Sequence, residues 1–247
     1  MPDVREVMGT AVGVDLRGHG PQAAAATDAV FAWLHHVDAT FSTYRAGSDV
    51  RRLERGDIAL AQCAPEVARV LIRCEALRAE TGGWFDVRAR GRLDPSALVK
   101  GWSLERAARL LDARGLRRYC INAGGDIRVG DGPVRGEPWR VGIRHPHDAA
   151  AVAAVVALRD GAVATSGAYE RGAHIVDPHT RRAPSGVLST TVVGPDLGTA
   201  DAYATAAFAM GREGITWLLG VPGFAGMAIH DDGAVVSTPA FDAVRVA

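Results

Sequence analysis

The sequence lacks a surplus of charge of either sign. Its 28 Lys and Arg residues balance its 28 Asp and Glu residues, so the formal net charge is zero. Proteins that bind nucleic acid through phosphate contacts usually carry a basic surplus, so we expect no nucleic-acid partner. The sequence also lacks a run of about 18 apolar residues, the length at which a membrane-spanning helix is predicted. Because residues 1–6 contain no apolar signal core either, we expect a cytoplasmic protein without a membrane span.

Cysteine is also scarce. The three cysteines, Cys63, Cys74 and Cys120, show neither a CxxC spacing nor a cluster with histidine. An odd number of cysteines without a pairing pattern is typical of a reducing compartment. We therefore expect the three thiols to be structural and do not expect a cysteine-based metal site.

Hydrophobic periodicity predicts a chain of mixed helices and strands. Apolar residues recur at helical spacing over residues 22–41, 65–81, 99–114, 199–210 and 215–219. Alternating or short apolar runs predict strands at residues 12–16, 119–121, 139–143, 152–158 and 188–193, with a final hairpin turning at Asp232-Gly233. Because strands follow one another after residue 116, the pattern predicts an α+β fold with mixed, largely antiparallel sheets and packed helices. No linker or repeat divides the chain, so residues 1–247 are expected to form one domain.

Asp201 and Thr205 are the first candidate site residues. Both lie in a predicted helix of small residues, Asp201 in its first turn, where a negative charge suits the helix dipole. Residues four apart share one helix face, so the carboxylate and the hydroxyl point the same way. Two such oxygens can bind one hard cation and leave room for water and phosphate oxygens. The alternative is an ordinary acid at a helix start followed by a helix threonine.

Further polar residues lie beside turns and glycines. Lys100 follows the turn at Asp94-Pro95 and precedes Gly101, and a lysine there could hold a phosphate. The segment from Asn122 to Asp126 contains two glycines after a buried strand, but it does not match GxGxxG and no helix follows. A dinucleotide site of the Rossmann type is therefore unsupported.

The combination of Ser166, His174 and Asp177 is a possible hydrolase triad. No GxSxG motif surrounds Ser166, which disfavours that interpretation. A histidine near a phosphate or a flat ring is an alternative role for His174. The aromatic residues Tyr44 and Phe85, flanked by small residues, could stack on a flat ring or belong to the core.

Taken in order, these segments resemble the FAD:protein FMN transferase family, the ApbE-type flavin transferases. The resemblance begins at Met8-Gly9-Thr10 and ends at Met210-Gly211. The matching segments are Phe41-Ser-x-Tyr44, Gly83-x-Phe85-Asp86, Asp94-Pro-x-x-x-x-Lys100-Gly101, Asn122-x-Gly124-Gly125-Asp126, Ala164-Thr-Ser-Gly167, His174-Ile-x-Asp177-Pro178 and Ala200-Asp201-Ala-x-x-Thr205.

The resemblance implies an enzyme that depends on Mg²⁺ and uses FAD as its substrate. Such an enzyme breaks the FAD diphosphate, attaches FMN to a Thr or Ser of an acceptor flavoprotein and releases AMP. The resemblance assigns the side chains of Asp201 and Thr205 and the carbonyl of Ala97 to Mg²⁺. It makes Asp201, His174 and Lys100 catalytic, with Asp201 and His174 as the two candidates for the general base. It places six residues around FAD: Met8, Tyr44, Phe85, Asp86, Lys100 and His174.

Two other functions agree with the same residues. An FAD diphosphatase would use water as the acceptor and release FMN and AMP, and a non-catalytic protein would only bind the flavin. The segment Asp177-Pro178-His179-Thr180 leads into Arg181 where the family commonly has x-Thr-Gly after its Asp-Pro, so the local turn is in question. The sequence does not predict the acceptor protein or the oligomeric state.

Overall fold

The fold is described from a computed structural model that covers residues 1–18, 20–148, 150–167 and 175–246. The helices within these residues are α1 (Gln22–Phe41), α2 (Asp49–Arg55), α3 (Pro65–Glu80), α4 (Ser96–Asp112), α5 (Leu197–Ala209), α6 (Gly214–Leu219) and α7 (Pro239–Val244). The strands are β1 (Asp3–Val7), β2 (Thr10–Leu16), β3 (Tyr119–Ala123), β4 (Asp126–Val129), β5 (Trp139–Arg144), β6 (Val152–Leu158), β7 (Gly161–Gly167), β8 (Val187–Gly194), β9 (Ala225–His230), β10 (Val235–Ser237) and β11 (Arg245–Val246).

The strands form two sheets. The larger sheet has eight strands in the order β1-β2-β3-β4-β7-β8-β9-β10, and the smaller has three in the order β11-β6-β5. Every strand pair in both sheets is antiparallel. The predicted α+β class with largely antiparallel sheets is therefore confirmed.

The large sheet has a helical layer on one face. In β7, Ala162 and Ala164 belong to the core shared with α1, α4 and α5, whereas Val163 belongs to a second core under the small sheet and α7. Successive residues of a strand point to opposite faces, so this half of the sheet is buried on both sides. The order of layers is thus helices, large sheet, small sheet.

The two helices that carry Lys100 and Asp201 begin earlier than the sequence predicts. Helix α4 begins at Ser96, three residues earlier than predicted, because Asp94 Oδ1 accepts from Ser96 N (3.2 Å) and the turn leads directly into the helix. Helix α5 begins at Leu197, because Asp196 caps it by accepting from Thr199 N at 2.7 Å. Both Lys100 and Asp201 therefore lie in the second turn of their helices. The prediction that placed Asp201 in the first turn was wrong.

Within the described residues, no helix is both long enough and apolar enough to cross a membrane.

Candidate active site

Helices α4 and α5 cross at two glycines. A Cβ atom added to Gly101 would lie 2.4 Å from the carbonyl oxygen of Leu197 and 2.8 Å from Asp201 Cβ. A Cβ atom on Gly198 would lie 3.2 Å from the Cα atom of Trp102. Glycine at these positions lets the helix backbones approach closely, which brings the second turn of α5 against the second turn of α4.

Asp201 is held at this crossing. Its side chain is buried, with 4% of the residue exposed, and its Oδ2 atom accepts a hydrogen bond from the N–H of Gly101 at 3.0 Å. In a regular helix the N–H of Gly101 would bond only to the carbonyl of Ala97, four residues earlier. The N–H of Gly101 therefore lies close to both the Asp201 carboxylate and the carbonyl of Ala97.

A second buried carboxylate lies beside Asp201. Asp126, which is fully buried, begins β4 after the tight turn at Gly124 and Gly125, whose φ angles are +57° and +92°. Its Oδ1 atom accepts from Thr165 N at 3.3 Å, and its Oδ2 atom lies 2.7 Å from Lys100 Nζ. No directed hydrogen bond reaches Oδ2 in the described residues, so the ion pair with Lys100 balances its charge.

The electrostatic environment of Asp201 disfavours its charged form. Burial raises the pKa of Asp201 well above the value of an ordinary aspartate, and the neighbouring charge of Asp126 raises it further. The ammonium of Lys100 and the N–H of Gly101 lower the pKa but do not offset these effects. Two buried carboxylates thus lie near one ammonium, and without a further positive charge Asp201 favours its neutral form.

Two hydroxyl groups extend the site along one face of α5. Thr205 lies one turn after Asp201, as the spacing predicts, and its Oγ1 atom is 3.3 Å from Oγ of Ser166. Ser166 is buried in β7, next to Thr165 whose N–H reaches Asp126. Four of the sequence segments, those containing Lys100, Asp126, Ser166 and Asp201, therefore meet in one place.

A buried ion pair fixes the start of α5. Glu105 Oε2 accepts from the N–H of Leu197 at 3.1 Å and from Arg128 Nε at 2.9 Å. Both Glu105 and Arg128 are 6% exposed. The pair connects α4, β4 and α5, and so fixes the position of Asp201 relative to Lys100.

The residues that the resemblance places around FAD do not all lie together. Met8 has a positive φ of 55° and adjoins α4, where Ser103 Oγ is 3.8 Å from Met8 Sδ and donates to the carbonyl of Lys100 at 2.7 Å. Tyr44 is 92% exposed, and its printed hydrogen bond, from its N–H to Ser42, is within its own loop. Phe85 belongs to the core, and only 2% of the residue is exposed.

Asp86 belongs to a second group of contacts. Its carboxylate lies 3.6 Å from Arg78 Nε and accepts from Arg88 N at 2.7 Å. In the same loop the ring of Trp84 meets the ring of His179 edge to face at 4.6 Å. The segments Gly83–Asp86 and Asp177–His179 thus pack on each other.

The roles predicted for His174 fall on residues 168–174, which lie outside the described residues. His174, predicted as a flavin contact, catalytic residue and general base, is among them, so the Ser166–His174–Asp177 triad stays untested. Asp177 itself accepts from Thr180 Oγ1 (2.8 Å) and His179 N (2.8 Å). Burial raises the pKa of Asp177, but these hydrogen bonds outweigh burial and lower it overall.

Asp126 belongs to one of the segments that match the family, but the sequence does not predict a role for it. Its position directly after Gly124 and Gly125 was the available signal, since glycines let the backbone approach a ligand closely. A second signal was also overlooked: Lys100 is the only lysine among the 28 Lys and Arg residues. Arginine serves every other basic position, so the single ammonium stands where a compact charge is needed.

The oxygen atoms at the crossing suit a hard cation. No group of three or more His, Cys, Asp or Glu side chains that could hold a metal occurs in the described part of the chain. Mg²⁺ does not need such a group, since it usually keeps several waters and takes one or two carboxylates together with substrate phosphates. The carboxylate of Asp201, the hydroxyl of Thr205 and the carbonyl of Ala97 are all oxygen donors, and a cation would stabilise the charged form of Asp201 that burial and Asp126 disfavour.

The chain matches one family model and several curated proteins that share one name. The family model described as the ApbE family matches residues 8–91 and 88–225. A protein of Rhodobacter capsulatus named FAD:protein FMN transferase is 35% identical over 223 residues, covering 85% of this chain and 39% of that protein. A protein of Treponema pallidum with the same name is 37% identical, covering 63% of this chain and 48% of that protein. The chain thus matches less than half the length of these curated relatives.

Solved structures share the fold over nearly the whole chain. The flavin transferase ApbE from Vibrio cholerae superposes with a TM-score of 0.85 at 23% identity, covering 99% of this chain and 98% of that one. The ApbE protein from Thermotoga maritima superposes with a TM-score of 0.86 at 22% identity, covering 100% of this chain and 99% of that one. At these identities the likeness concerns the fold.

Proposed function

The chain belongs to the ApbE family, and on that premise we propose that it transfers FMN from FAD to a Thr or Ser hydroxyl of an acceptor protein and releases AMP. The observation that carries this proposal is the cluster of Lys100, Asp126, Asp201 and Thr205 at the helix crossing. Relatives at 35% and 37% identity are named FAD:protein FMN transferase, which supports the same activity. The domain proposed for this activity is the whole chain, residues 1–247.

We propose that Asp201, Thr205 and the carbonyl of Ala97 hold one Mg²⁺ ion at this site. A bound Mg²⁺ would withdraw charge from the diphosphate oxygens and make the phosphorus more electrophilic. At an effective dielectric constant near 20, one pair of unit charges about 4 Å apart is worth roughly 4 kcal/mol. Each attractive pair that the cation makes with a phosphate or carboxylate oxygen therefore offsets about one repulsive pair of like charges at the same distance.

Lys100 is proposed to bind the diphosphate together with the Mg²⁺ ion. Asp126 fixes the ammonium at 2.7 Å, so its position is set before substrate binds. A preorganised charge stabilises the negative charge that develops on the leaving AMP phosphate without a cost of reorganisation. Met8, adjoining the Lys100 turn, is proposed to contact the flavin, and Tyr44, Phe85, Asp86 and His174 complete the proposed set.

The transfer forms one bond and breaks one. The oxygen of the acceptor hydroxyl bonds to the FMN phosphorus, and the bond from that phosphorus to the bridging oxygen breaks, leaving its electron pair on AMP. The hydroxyl proton passes to a base, for which Asp201 and His174 are the two candidates. The reaction is a substitution at phosphorus, so the flavin is neither oxidised nor reduced.

The direct test is incubation with FAD, Mg²⁺ and a candidate acceptor domain. The transferase proposal expects AMP and covalently bound, fluorescent flavin in equal amounts. AMP and free FMN without labelled acceptor would instead identify an FAD diphosphatase. Tight FAD binding that persists in EDTA, with no AMP under any metal, would identify a flavin-binding protein.

Substitution of Lys100 tests the role of its ammonium. We expect Lys100→Ala to lower kcat/KM for FAD by about 10-fold, the order expected for loss of one partly exposed charge contact. Lys100→Arg is expected to be impaired as well, since the larger guanidinium must fit beside the fully buried Asp126. Steady-state AMP release measures both, and wild-type kinetics in both variants would contradict the proposed contact between Lys100 and the diphosphate.

The single lysine also permits a chemical test. An amine-reactive reagent can modify only Lys100 and the α-amino group of the chain. We expect FAD to protect Lys100 from modification, because a bound diphosphate covers the ammonium, while the α-amino group reacts at an unchanged rate. Peptide mass spectrometry follows both amines in one sample, and equal modification of Lys100 with and without FAD would contradict the proposed contact.

A cytoplasmic location is proposed on one observation. The three cysteines are unpaired, which agrees with a reducing compartment.

A further inference from the structure

A second concave surface lies at the far end of α4 from the candidate active site. It has a volume of about 550 Å³ and is formed by the loop after α4, the loop between β4 and β5, and the turn between β6 and β7. Lys100 and the last residue of α4, Asp112, are 12 residues apart, which is about 18 Å at roughly 1.5 Å per residue. This surface is therefore separate from the place where Lys100 meets Asp126.

The lining of this surface has an excess of positive charge, and we call it the arginine pocket. One acidic residue, Asp131, lines it together with four arginines: Arg117, Arg118, Arg135 and Arg159. The excess is three positive charges, in a chain whose formal net charge is zero. Like charges that are brought together repel one another, so this arrangement favours the binding of an anion.

Two of the four guanidinium groups are open to a ligand. Arg118 Nη2 donates to the carbonyl of Gly18 at 3.5 Å, a long hydrogen bond. Arg135 and Arg159 are both exposed, and neither makes a hydrogen bond or an ion pair within residues 1–18, 20–148, 150–167 and 175–246. An anion can therefore bind to Arg135 and Arg159 without displacing a partner in this part of the chain.

Arg117 is the one arginine of the pocket that acidic residues already balance. Its Nε atom lies 3.4 Å from Asp131 Oδ2. Asp131 and, less strongly, Asp112 raise the pKa of Arg117. The other acidic residue close by, Asp160, is occupied by the buried Arg128, whose Nη2 atom lies 2.7 Å from Asp160 Oδ1. Arg135 and Arg159 are therefore the arginines on which ligand binding should depend most.

The backbone beneath the arginines is fixed by hydrogen bonds. Gly130 N donates to the carbonyl of Tyr119 at 3.0 Å. Asp131 N donates to the carbonyl of Arg117 at 2.8 Å. The carbonyl of Asp131 in turn accepts from Trp139 Nε1 at 2.7 Å. The loop that carries Asp131 is thus joined to β3 and β5 before a ligand binds, and a preformed pocket lowers the entropic cost of binding.

The chemistry of the lining indicates what kind of anion fits. Guanidinium groups bind phosphate with two parallel hydrogen bonds. A phosphate group carries about 1.5 to 2 negative charges at pH 7, so two phosphate groups balance an excess of three positive charges. Among the described residues, no aromatic ring lines the pocket and Val134 is its one large apolar side chain, so the lining offers no surface on which a base could stack.

We propose that the arginine pocket binds a small ligand with two phosphate groups, at a site separate from the proposed FAD site. The volume of about 550 Å³ lies within the range of roughly 300–1,000 Å³ that is usual for small-molecule sites. Binding at this pocket does not depend on the proposed transferase function.

Inorganic pyrophosphate is the probe, and isothermal titration calorimetry in EDTA at an ionic strength of about 0.15 M measures its binding. EDTA removes divalent cations, which would otherwise bind the probe. We expect one pyrophosphate per wild-type chain. The double variant Arg135→Gln/Arg159→Gln should lower the affinity at least about 10-fold, since it removes two charge-assisted contacts.

Two further variants are the controls. Arg114 is exposed and adjoins the pocket residue Gly115 but does not line the pocket, so Arg114→Gln removes a nearby charge without removing a ligand contact. Lys100→Ala removes the ammonium of the candidate active site. Both variants should bind pyrophosphate within about 2-fold of wild type, because the exposed charge of Arg114 is largely screened at this ionic strength and Lys100 lies more than a Debye length of about 8 Å away.

Three results would overturn the proposal. Equal affinity in wild type and in Arg135→Gln/Arg159→Gln would show that these arginines do not bind the ligand. Loss of binding in Lys100→Ala would place the pyrophosphate at the candidate active site. Binding at low ionic strength that disappears at about 0.15 M would indicate an adventitious ion only, since salt screens the contacts of exposed charges.

Discussion

Replacement of Asp201 by asparagine is expected to lower Mg²⁺-stimulated AMP release by at least about 10³-fold, about 4 kcal/mol of transition-state stabilisation at roughly 1.36 kcal/mol per factor of ten. Asparagine has the size of aspartate, and its carbonyl oxygen can still accept the hydrogen bond from Gly101 N. What is lost is the negative charge that the cation requires. The fold and most of the affinity for FAD should remain.

The same variant should be more stable than wild type in the absence of metal and FAD. Burial raises the pKa of Asp201 in the folded state, so the wild-type residue contributes stability below about pH 4 and loses that contribution as the pH rises through the folded-state pKa. Asparagine has no charge to bury. The difference in melting temperature between the variant and wild type should therefore grow as the pH rises from 4 to 7.

Asp196→Asn is the matched control for this experiment. Asp196 lies on the same helix and caps its N-terminus, and asparagine caps a helix about as well as aspartate. The control should keep near wild-type turnover. Wild-type turnover in Asp201→Asn, or equal losses in both variants, would contradict the assignment of the cation to Asp201.

The second large effect is expected for Gly101→Ala. A methyl group at Gly101 would overlap the carbonyl oxygen of Leu197 at 2.4 Å and Asp201 Cβ at 2.8 Å, and backbone cannot move aside as a flexible side chain can. The helices must separate, which costs about 1–3 kcal/mol by the usual price of overpacking. For a chain of this size that lowers the melting temperature by roughly 2–12 °C, since each kcal/mol shifts it by about 2–4 °C.

The rate of AMP release should also fall in Gly101→Ala, by more than the loss of folded protein explains. Separation of α4 and α5 moves Asp201 away from Lys100, and a displacement of about 1 Å at a reacting centre can cost about 10²-fold in rate. Gly47→Ala is the control, since a Cβ atom at Gly47 would meet nothing within 4 Å. An unchanged melting temperature and rate in Gly101→Ala would show that the close helix crossing is not needed.

Much of the fold follows from local sequence patterns. The stripe of apolar residues that predicts α1 over 22–41 matches the observed Gln22–Phe41, because this helix is long and buries one continuous face. Helix α2 was missed although Ser48 caps it and Gly56 ends it, because it has seven residues and buries only Val50. Short elements offer too few periods for a hydrophobic pattern to be recognised.

The site was predictable in part. The spacing of Asp201 and Thr205 predicts a shared helix face, and the structure places both there. The contact between Asp126 and Lys100 joins residues 26 apart in the chain through the packing of β4 on α4, and no local pattern encodes it. The burial of Phe85 likewise depends on which elements cover it. Edge strands such as β5 become visible only when the strand order is known.

The central claim is that Asp201 holds one divalent cation at the crossing of α4 and α5. Mn²⁺ can replace Mg²⁺ in such oxygen sites, and its electron paramagnetic resonance signal is strong when free and weak when bound. Titration in the presence of FAD should show one Mn²⁺ bound per wild-type chain, displaced by excess Mg²⁺, and no comparable site in Asp201→Asn. Equal stoichiometry and affinity for Mn²⁺ in wild type and Asp201→Asn would contradict the account.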